Sequence, residues 1–336
     1  MKGGLRMKLS VLDQSAISKG NDARVALQNT VRLAQVTEEL GYTRFWVAEH
    51  HNTIGVAGSS PEVLISHLAS RTRKIRVGSG GVLLPQYSPY KVAENFKLLA
   101  TLFPNRIDLG VGRSPGGSLE TRMALTDGVR KSLNEFPRQV EDLRGYLTNQ
   151  LPENHSYHGV NAYPHPTVLP EIWHLGISPR GARVAAKNGT AFTYGHFITP
   201  ENGKEAIEEY FHRFQPSPLL AKPKVNVCVF VVCAPTKEQA EERVLSLDQW
   251  LLAVEKGLDT HIPSIEEAKT MPVTNEDRMK IMKNRKRMVI GTPKHVKAEL
   301  QRLSEIYQSD EMMIISNIHR FDDKLESYTL LAEAIL

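Results

Sequence analysis

The chain has 336 residues, of which 41% are hydrophobic and 24% charged, and its formal net charge is +5. This length accommodates one large domain or two of ordinary size. The composition excludes a disordered chain, a fibrous chain and a disulfide-stapled scaffold. The sequence has no stretch of about 18 apolar residues, so no membrane-spanning helix and no membrane partner are predicted.

The basic excess is small and spread along the chain, with its densest run at residues 283–287. A solvated helix or loop face explains such a run. Neither zinc-finger spacing nor an RNA-binding signature accompanies it, so nucleic acid is not a predicted partner. An anionic small ligand accounts for the excess equally well.

Two cysteines, Cys228 and Cys233, lie in one apolar run. In a strand their odd separation directs them to opposite faces, too far apart for a disulfide bond. Residues 1–7 carry charge but lack the apolar segment of a signal peptide. A cytoplasmic protein is therefore expected.

Apolar, β-rich segments alternate along the chain with segments of helical periodicity. The predicted strands span residues 8–15, 44–51, 75–84, 106–112, 171–177, 191–196, 224–233 and 312–317. The predicted helices span residues 22–40, 61–71, 89–102, 133–148, 178–187, 201–214, 236–256, 292–307 and 321–334. Eight strands, each followed by a helix, predict an α/β fold, a closed (β/α)8 barrel forming a single domain over residues 1–336. An open, doubly wound sheet is the main alternative.

Three stretches interrupt this alternation, at residues 114–131, 151–170 and 257–291. The first and third follow strands or lie just beyond them, at the end of a barrel where active sites are built. Long irregular segments of this kind are commonly functional lids. The second stretch follows a helix, and we expect it to fold back or to extend the barrel wall.

The segment Glu49-His50-His51 ends the second predicted strand. Because neighbours in a strand point to opposite faces, no more than two of the three can reach one ion, and no metal is predicted. The remaining readings are a polar strand end and a histidine that handles protons at the mouth of the barrel.

Glycines and an arginine mark the next two strands. Residues 78–81 (GSGG) indicate either a bulge or close approach of a ligand to the backbone. Residues 110–115 (GVGRSP) partly match a dinucleotide fingerprint, but Pro115 replaces the third glycine, so a Rossmann site is not predicted. Arg113 is a candidate to bind a phosphate or carboxylate, or else forms a surface ion pair.

Residues 178–182 (SPRGA) join the fifth strand to its helix. Ser178 suits the helix N-cap and Pro179 the first turn. Free backbone N–H groups at such an end attract anions, and Arg180 adds positive charge. Simple capping is the alternative interpretation.

Taken together, residues 48–52 (AEHHN), 77–85 (VGSGGVLLP) and 106–113 (RIDLGVGR) resemble the bacterial-luciferase-like, flavin-dependent monooxygenases, a family similar to alkanal monooxygenase. The resemblance extends over nearly the whole chain and implies a (β/α)8 barrel. It implies an enzyme in which O2 adds to reduced FMN at C4a, and the resulting peroxide oxidises a small organic substrate.

The resemblance also implies roles for individual residues. His50 then lies near the reactive edge of the flavin, and Ser79, Gly80 and Gly81 lie under its ring, with a cis peptide bond between the two glycines. The residues expected to hold the FMN phosphate are Arg113, Arg138, Ser178, Arg180, Gly181 and Ala182, the last three through their N–H groups. The stretch at residues 257–291 resembles the mobile lid of the family.

Partners follow from the same resemblance. Since the chain has no convincing NAD fingerprint, a separate reductase is expected to supply reduced FMN. Family members commonly form homodimers through their second and third helices, here residues 61–71 and 89–102. Two alternatives stay open: a deazaflavin-dependent oxidoreductase that transfers hydride, and a flavin-binding protein without catalysis. The organic substrate is not readable from the sequence.

Overall fold

The computed structural model describes residues 7–114 and 116–336. Residues 1–6 and Pro115 lie outside the described residues. The expectation that the chain has no signal peptide concerns mainly residues 1–6. The strands are β1 (Lys8–Asp13), β2 (Arg44–Val47), β3 (Arg76–Leu83), β4 (Ile107–Gly112), β5 (Glu171–Gly176), β6 (Ala191–Gly195), β7 (Val225–Cys233), β8 (Met288–Gly291) and β9 (Glu311–Ile315).

The helices alternate with these strands and form the outer layer. They are α1 (Ala23–Glu39), α2 (Pro61–Arg71), α3 (Pro89–Leu102), α4 (Leu119–Leu125), α5 (Phe136–Thr148), α6 (Pro179–Asn188), α7 (Gly203–Arg213), α8 (Lys237–Lys256), α9 (Ile265–Thr270), α10 (Asn275–Arg285), α11 (Pro293–Tyr307) and α12 (Phe321–Ile335). Among the described residues, no helix is both long enough and apolar enough to cross a membrane.

Eight of the strands close into a parallel barrel, as the sequence predicts. Neighbours from β1 to β7 pair in order, β7 pairs with β9, and β9 pairs with β1. The additional strand β8 pairs only with the end of β7, where Phe230 has Met288 on one side and Ile315 of β9 on the other. Strand β8 therefore extends the barrel wall above β6 at the carboxyl end.

A buried ionic network fills the amino-terminal end of the barrel. Arg44 donates to Asp108 at 2.7 Å and to Glu311 at 2.6 Å, and all three side chains are almost completely buried. Burial would raise the pKa of Asp108, but Arg44 and Arg76 outweigh it and hold that pKa below its usual value. Charge pairing therefore fills this end of the barrel among the described residues.

The three predicted interruptions differ in what they contain. Residues 114–131 include α4, and residues 151–170 fold back on the outside of the barrel, where Lys97 Nζ of α3 donates to Ala162 O at 2.7 Å. Residues 257–291 are more regular than expected, since they hold α9, α10 and β8. The sequence signals overlooked there are two capping boxes, Ser264 with Glu267 and Thr274 with Asp277, which begin the two short helices.

The two cysteines are free and buried on opposite sides of β7, as predicted. Cys228 faces the interior of the barrel, where it belongs to the same apolar cluster as Trp46 and Met313. Cys233 faces the surrounding helices, and its backbone N–H donates to Ser327 Oγ of α12 at 3.0 Å.

Candidate active site

A cavity of about 1020 Å³ opens at the carboxyl ends of the barrel strands. Its floor includes Trp46, whose ring packs edge-on against Trp173 at 5.4 Å between ring centroids, directly above the Arg44 network. Seven of the ten predicted site residues line the cavity: His50, Gly80, Gly81, Arg113, Ser178, Arg180 and Gly181. The tertiary fold therefore brings the motifs of β2, β3, β4 and β5 to one place.

The glycines of β3 form a flat section of the wall. A Cβ on Gly81 would lie 2.8 Å from the carbonyl oxygen of Gly110, and the register between β3 and β4 shifts between Ser79 and Val82. The Gly80–Gly81 peptide bond is cis, as the resemblance implies. The wall thus offers bare backbone to a ligand, and any side chain at Gly81 would collide with β4.

Ser79 has a different position from its two glycine neighbours. Its side chain is completely buried and is not among the residues that line the cavity. Ser79 Oγ donates to Gly110 O at 2.8 Å and accepts from Gly110 N at 3.0 Å, so it joins β3 to β4 across the register shift. A part in cofactor binding stays a prediction for this residue.

His50 lies just beyond β2 at the mouth of the barrel. Its backbone N–H donates to Gly58 O at 2.9 Å, whereas its buried Nδ1 has no hydrogen-bond partner among the described residues. Burial, with a smaller contribution from His51, lowers the pKa of His50 to about 4. The imidazole is therefore neutral near pH 7 and has one nitrogen to donate and one to accept a proton.

The two neighbours of His50 belong to a hydrogen-bonded cluster. Glu49 Oε1 lies 2.6 Å from His51 Nε2 and accepts a hydrogen bond of 2.5 Å from Tyr87 Oη. Glu49 Oε2 accepts from the backbone N–H of Leu83 at 2.9 Å. Burial and Glu49 together raise the pKa of Tyr87 well above its usual value, so its phenol stays protonated as a donor. This cluster ties β2 to the end of β3.

One end of the cavity carries unpaired positive charge. Arg113 and Arg180 are exposed and have no hydrogen-bond or ion-pair partner in the part of the chain that the structure describes. Arg180 belongs to the first turn of α6. Ser178 is the N-cap of this helix, and its Oγ accepts a hydrogen bond from Gly181 N at 3.4 Å. Cations and a helix N-terminus together favour an anionic ligand group.

Two predicted phosphate ligands, Arg138 and Ala182, are not among the residues that line the cavity. Ala182 is completely buried, does not line the cavity, and its N–H already donates to Ser178 O at 3.1 Å within the helix. Arg138 is not a lining residue either, because it pairs with Glu135 at 2.8 Å and with Asp142 along α5. Ala182 nevertheless adjoins the lining residue Gly181 in α6, and a part in phosphate binding stays a prediction for both residues.

Two side chains that sequence reasoning missed, His174 and Thr193, have buried polar atoms without a partner in the described chain. His50 Nδ1, already a candidate, is joined by His174 Nδ1 of β5 and Thr193 Oγ1 of β6, and all three residues line the same cavity. The available signal is a polar residue inside a largely apolar strand. Unsatisfied buried polar atoms are rare in folded proteins and here indicate that a polar ligand completes the site.

The cavity has a cover made by the chain that follows α8. Thr260 Oγ1 lies 2.9 Å from Thr53 Oγ1 and accepts from the backbone N–H of Gly55 at 3.1 Å. Thr260 O accepts from Trp250 Nε1 at 2.9 Å. Arg287, the residue before β8, donates to Phe197 O at 2.8 Å. These contacts join lining residues from different segments of the chain.

The lining residues fit a flavin with a phosphate. The bare backbone at Gly80 and Gly81 suits a flat ring, and the neutral His50 lines the same cavity. Arg113 and Arg180 suit the phosphate. Within the described residues no cluster of three or more histidine, cysteine, aspartate or glutamate side chains could hold a metal ion.

Comparison with known proteins identifies the family. The model of the luciferase-like monooxygenase family matches residues 7–309, and the chain belongs to that family. It is 52% identical over 328 residues to the uncharacterized protein YceB of Bacillus subtilis strain 168, covering 98% of this chain and 99% of the relative. It is 39% identical over 331 residues to the N-acetyl-S-alkylcysteine monooxygenase of the same strain, covering 98% of each.

Solved structures agree with this assignment. The crystal structure of apo-MsnO8 has a TM-score of 0.88 and 36% identity, with 98% of each chain covered. An F420-dependent secondary alcohol dehydrogenase has a TM-score of 0.69 at 14% identity, covering 98% of this chain and 99% of that one, and shares the fold alone. The chain is therefore an oxidoreductase of the luciferase-like monooxygenase family with a (β/α)8 barrel.

Proposed function

We propose that this protein is a flavin-dependent monooxygenase that uses reduced FMN and O2 to oxidise a small organic substrate. One observation carries the proposal: a single cavity joins a bare glycine wall and a neutral histidine to an end with unpaired arginines. A flat ring with a phosphate tail matches these three features together. Membership of the luciferase-like monooxygenase family supports the reaction class.

Each part of the cavity has a task in this reaction. Reduced flavin, when bound, supplies the electrons and the position at which O2 is activated. Gly80 and Gly81 let a ring approach the backbone, while Arg113 and Arg180 bind the phosphate. Neutral His50 accepts a proton at Nδ1 or donates one from the other nitrogen, and the Thr260 cover excludes water.

The proposed substrate is a small molecule with an apolar part. Side chains of α8 and the chain after it give the cavity an apolar side, and they are Trp250, Leu251, Val254 and Leu258. The relative named N-acetyl-S-alkylcysteine monooxygenase is 39% identical. N-acetyl-S-alkylcysteines are therefore the first substrates to test, and the alkyl group is the part we assign to this side.

The decisive experiment is anaerobic titration with reduced FMN, followed by rapid mixing with O2. We expect saturable binding and then a transient absorbance band that belongs to neither reduced nor oxidised flavin. With a substrate, one oxygen atom from labelled O2 should appear in the product. Absence of labelled product across thioether, aldehyde, alkane, sulfonate and aromatic candidates, together with no transient band, would refute the proposal.

The same titration separates the alternatives. Binding of a reduced deazaflavin but not of FMN would identify a hydride-transfer oxidoreductase, for which the shared fold with an F420-dependent enzyme is the supporting observation. Binding of FMN with no effect on its reaction with O2 would identify a flavin-binding protein without catalysis. The histidine at position 50 favours catalysis over mere binding.

A separate reductase and a homodimer complete the proposal. Appreciable NAD(P)H oxidation by the purified protein would contradict the need for a reductase.

The dimer is assigned to the α2 and α3 face because Val63, Leu98 and Leu102 are more than half exposed there. Sedimentation of a monomer at micromolar concentration would contradict it. A cytoplasmic location stays a prediction.

A further inference from the structure

His174 is a buried histidine that the roles proposed above do not use. It lies in β5, is 2% exposed, and lines the cavity. Its ring packs edge-on against Phe136 at 5.2 Å and lies 6.4 Å from the ring of Phe192, measured between centroids. The two phenylalanine rings fix the plane of the imidazole, but they offer no hydrogen-bond partner to its nitrogens.

The surroundings of the two nitrogens determine which one carries the proton. His174 Nδ1 is buried and has no hydrogen-bond partner among the described residues. Burial, with Arg113 as the smaller cause, lowers the pKa of His174 to about 4, so the ring is neutral near pH 7. An N–H donor left without an acceptor in the interior is costly. The neutral ring therefore carries its proton on Nε2.

His174 Nε2 borders the first turn of α6. The place that a Cβ on Gly181 would occupy lies 3.8 Å from His174 Nε2 and 4.0 Å from Ser178 Oγ. Because Gly181 has no side chain, this space is open, and two polar atoms from different elements face it. The N–H of His174 thus points to the same helix N-terminus that Ser178 caps.

The charges around this space select for an anion. The lining residues include the arginines Arg113, Arg180 and Arg287, and Glu49 is the single acidic residue among those that the structure describes. Glu49 is already held by Tyr87, His51 and the N–H of Leu83. Glu49 therefore does not compete with a ligand for the N–H of His174.

We propose that His174 binds the terminal phosphate of the flavin, donating from Nε2 beside Ser178 and the N-terminus of α6. This inference rests on the proposed function and deepens it, because it names a further residue, beside Arg113 and Arg180, that distinguishes a phosphorylated flavin from riboflavin. A neutral donor adds a directional hydrogen bond to the charge supplied by Arg113 and Arg180. Loss of that bond weakens FMN binding without affecting the ring.

The test measures dissociation constants for FMN and riboflavin by fluorescence quenching. His174→Phe keeps an aromatic ring between Phe136 and Phe192 but removes the donor. His174→Gln keeps an amide donor near the position of Nε2. We expect His174→Phe to weaken FMN binding roughly tenfold with riboflavin binding unchanged, and His174→Gln to recover most of that loss. His196→Gln, a buried histidine outside the cavity, is the matched control and should leave the ratio unchanged.

The possible outcomes separate this inference from the proposed function. Equal weakening of FMN and riboflavin by His174→Phe means that the ring only packs, which overturns the inference and leaves the flavin enzyme intact. A wild-type protein that binds riboflavin as tightly as FMN overturns the inference, and with it the assignment of Arg113 and Arg180 to the phosphate, but leaves a flavin enzyme. A wild-type protein that binds neither overturns the proposed function and the inference together.

A second measurement covers the case in which His174→Phe does not fold. In wild-type protein with 15N-labelled histidine, the Nε2 signal of His174 is identified by its absence from His174→Gln. FMN should move this signal, and riboflavin should not. Identical positions with both flavins would overturn the inference, and this readout does not depend on catalytic activity.

Discussion

Tyr87 donates a hydrogen bond of 2.5 Å to Glu49, a carboxylate that is buried beneath the mouth of the barrel. The same oxygen of Glu49 lies 2.6 Å from His51, and the other oxygen accepts from the backbone of Leu83. A buried carboxylate is costly unless its oxygens are bonded, so these contacts form one unit. The unit holds the segment that carries His50.

Replacing Tyr87 by phenylalanine should destabilise the fold. Tyr87→Phe removes one donor from a buried carboxylate, and we expect the free energy of unfolding to fall by about 1.5–3 kcal/mol. Urea denaturation measures this change. Tyr157→Phe, at an exposed tyrosine, is the control and should change the free energy by less than about 0.5 kcal/mol. Equal effects of the two variants would show that Glu49 does not depend on Tyr87.

A methyl group on Gly55 should displace the cover of the cavity. A Cβ at this position would lie 1.9 Å from Thr260 O, a distance that no side-chain rearrangement can relieve. Gly55→Ala should therefore increase hydrogen exchange at residues 257–263, including the N–H of Ile262 that now donates to Ile17 O at 2.9 Å. Gly159→Ala is the control, since nothing lies within 4 Å of its Cβ. Unchanged exchange in Gly55→Ala would contradict the role of this contact.

Acid should destabilise the protein through its buried neutral histidines. Burial lowers the pKa of His196 to about 4, with Arg302 as a smaller cause, and burial likewise lowers that of His174 to about 4. The unfolded chain binds protons near the ordinary pKa of about 6.5, so it binds more protons than the folded chain between pH 6.5 and 4. Stability is therefore full above pH 6.5 and falls as the pH decreases through that window.

The expected loss is about 2 kcal/mol per histidine between pH 7 and pH 5. Urea denaturation at a series of pH values measures it. His196→Gln removes one of these groups, and although it also loses the 2.7 Å contact with Tyr307 Oη, its stability should depend less on pH than that of the wild type. An unchanged slope of stability against pH in this variant would show that His196 is not titrating as described.

The two arginines predicted from the sequence should differ in their effect on FMN binding. Arg113 lines the cavity without a partner among the described residues, whereas Arg138 pairs with Glu135 and Asp142 on α5. Arg113→Gln should weaken FMN binding about tenfold or more, because a charged contact to phosphate is lost. Arg138→Gln should leave the dissociation constant within about twofold of the wild type. The opposite order would assign the phosphate to Arg138.

The periodic apolar pattern predicted the barrel, since a parallel strand buried on both faces is apolar along its length. Strand β8 was not predicted, because a strand of four residues after a polar helix is too short to show a periodic apolar pattern. It also lies outside the closed barrel, since it pairs with β7 only beyond the end of β6. The helices α9 and α10 are short and begin with capping boxes, a local signal that does not depend on apolar periodicity.

The sequence by itself determined the motifs at the strand ends, because local residue types restrict the backbone there: glycines at 80 and 81, a cap at Ser178, and His50 after β2. Only the tertiary structure decided which side chains meet. Arg138 and Ala182 are not among the residues that line the cavity, whereas His174 is, and the importance of His174 depends on an open space beside Gly181. The apolar pattern of a sequence indicates which face of a helix or strand is buried. Whether a histidine nitrogen is buried without a hydrogen-bond partner depends on how several elements pack against one another.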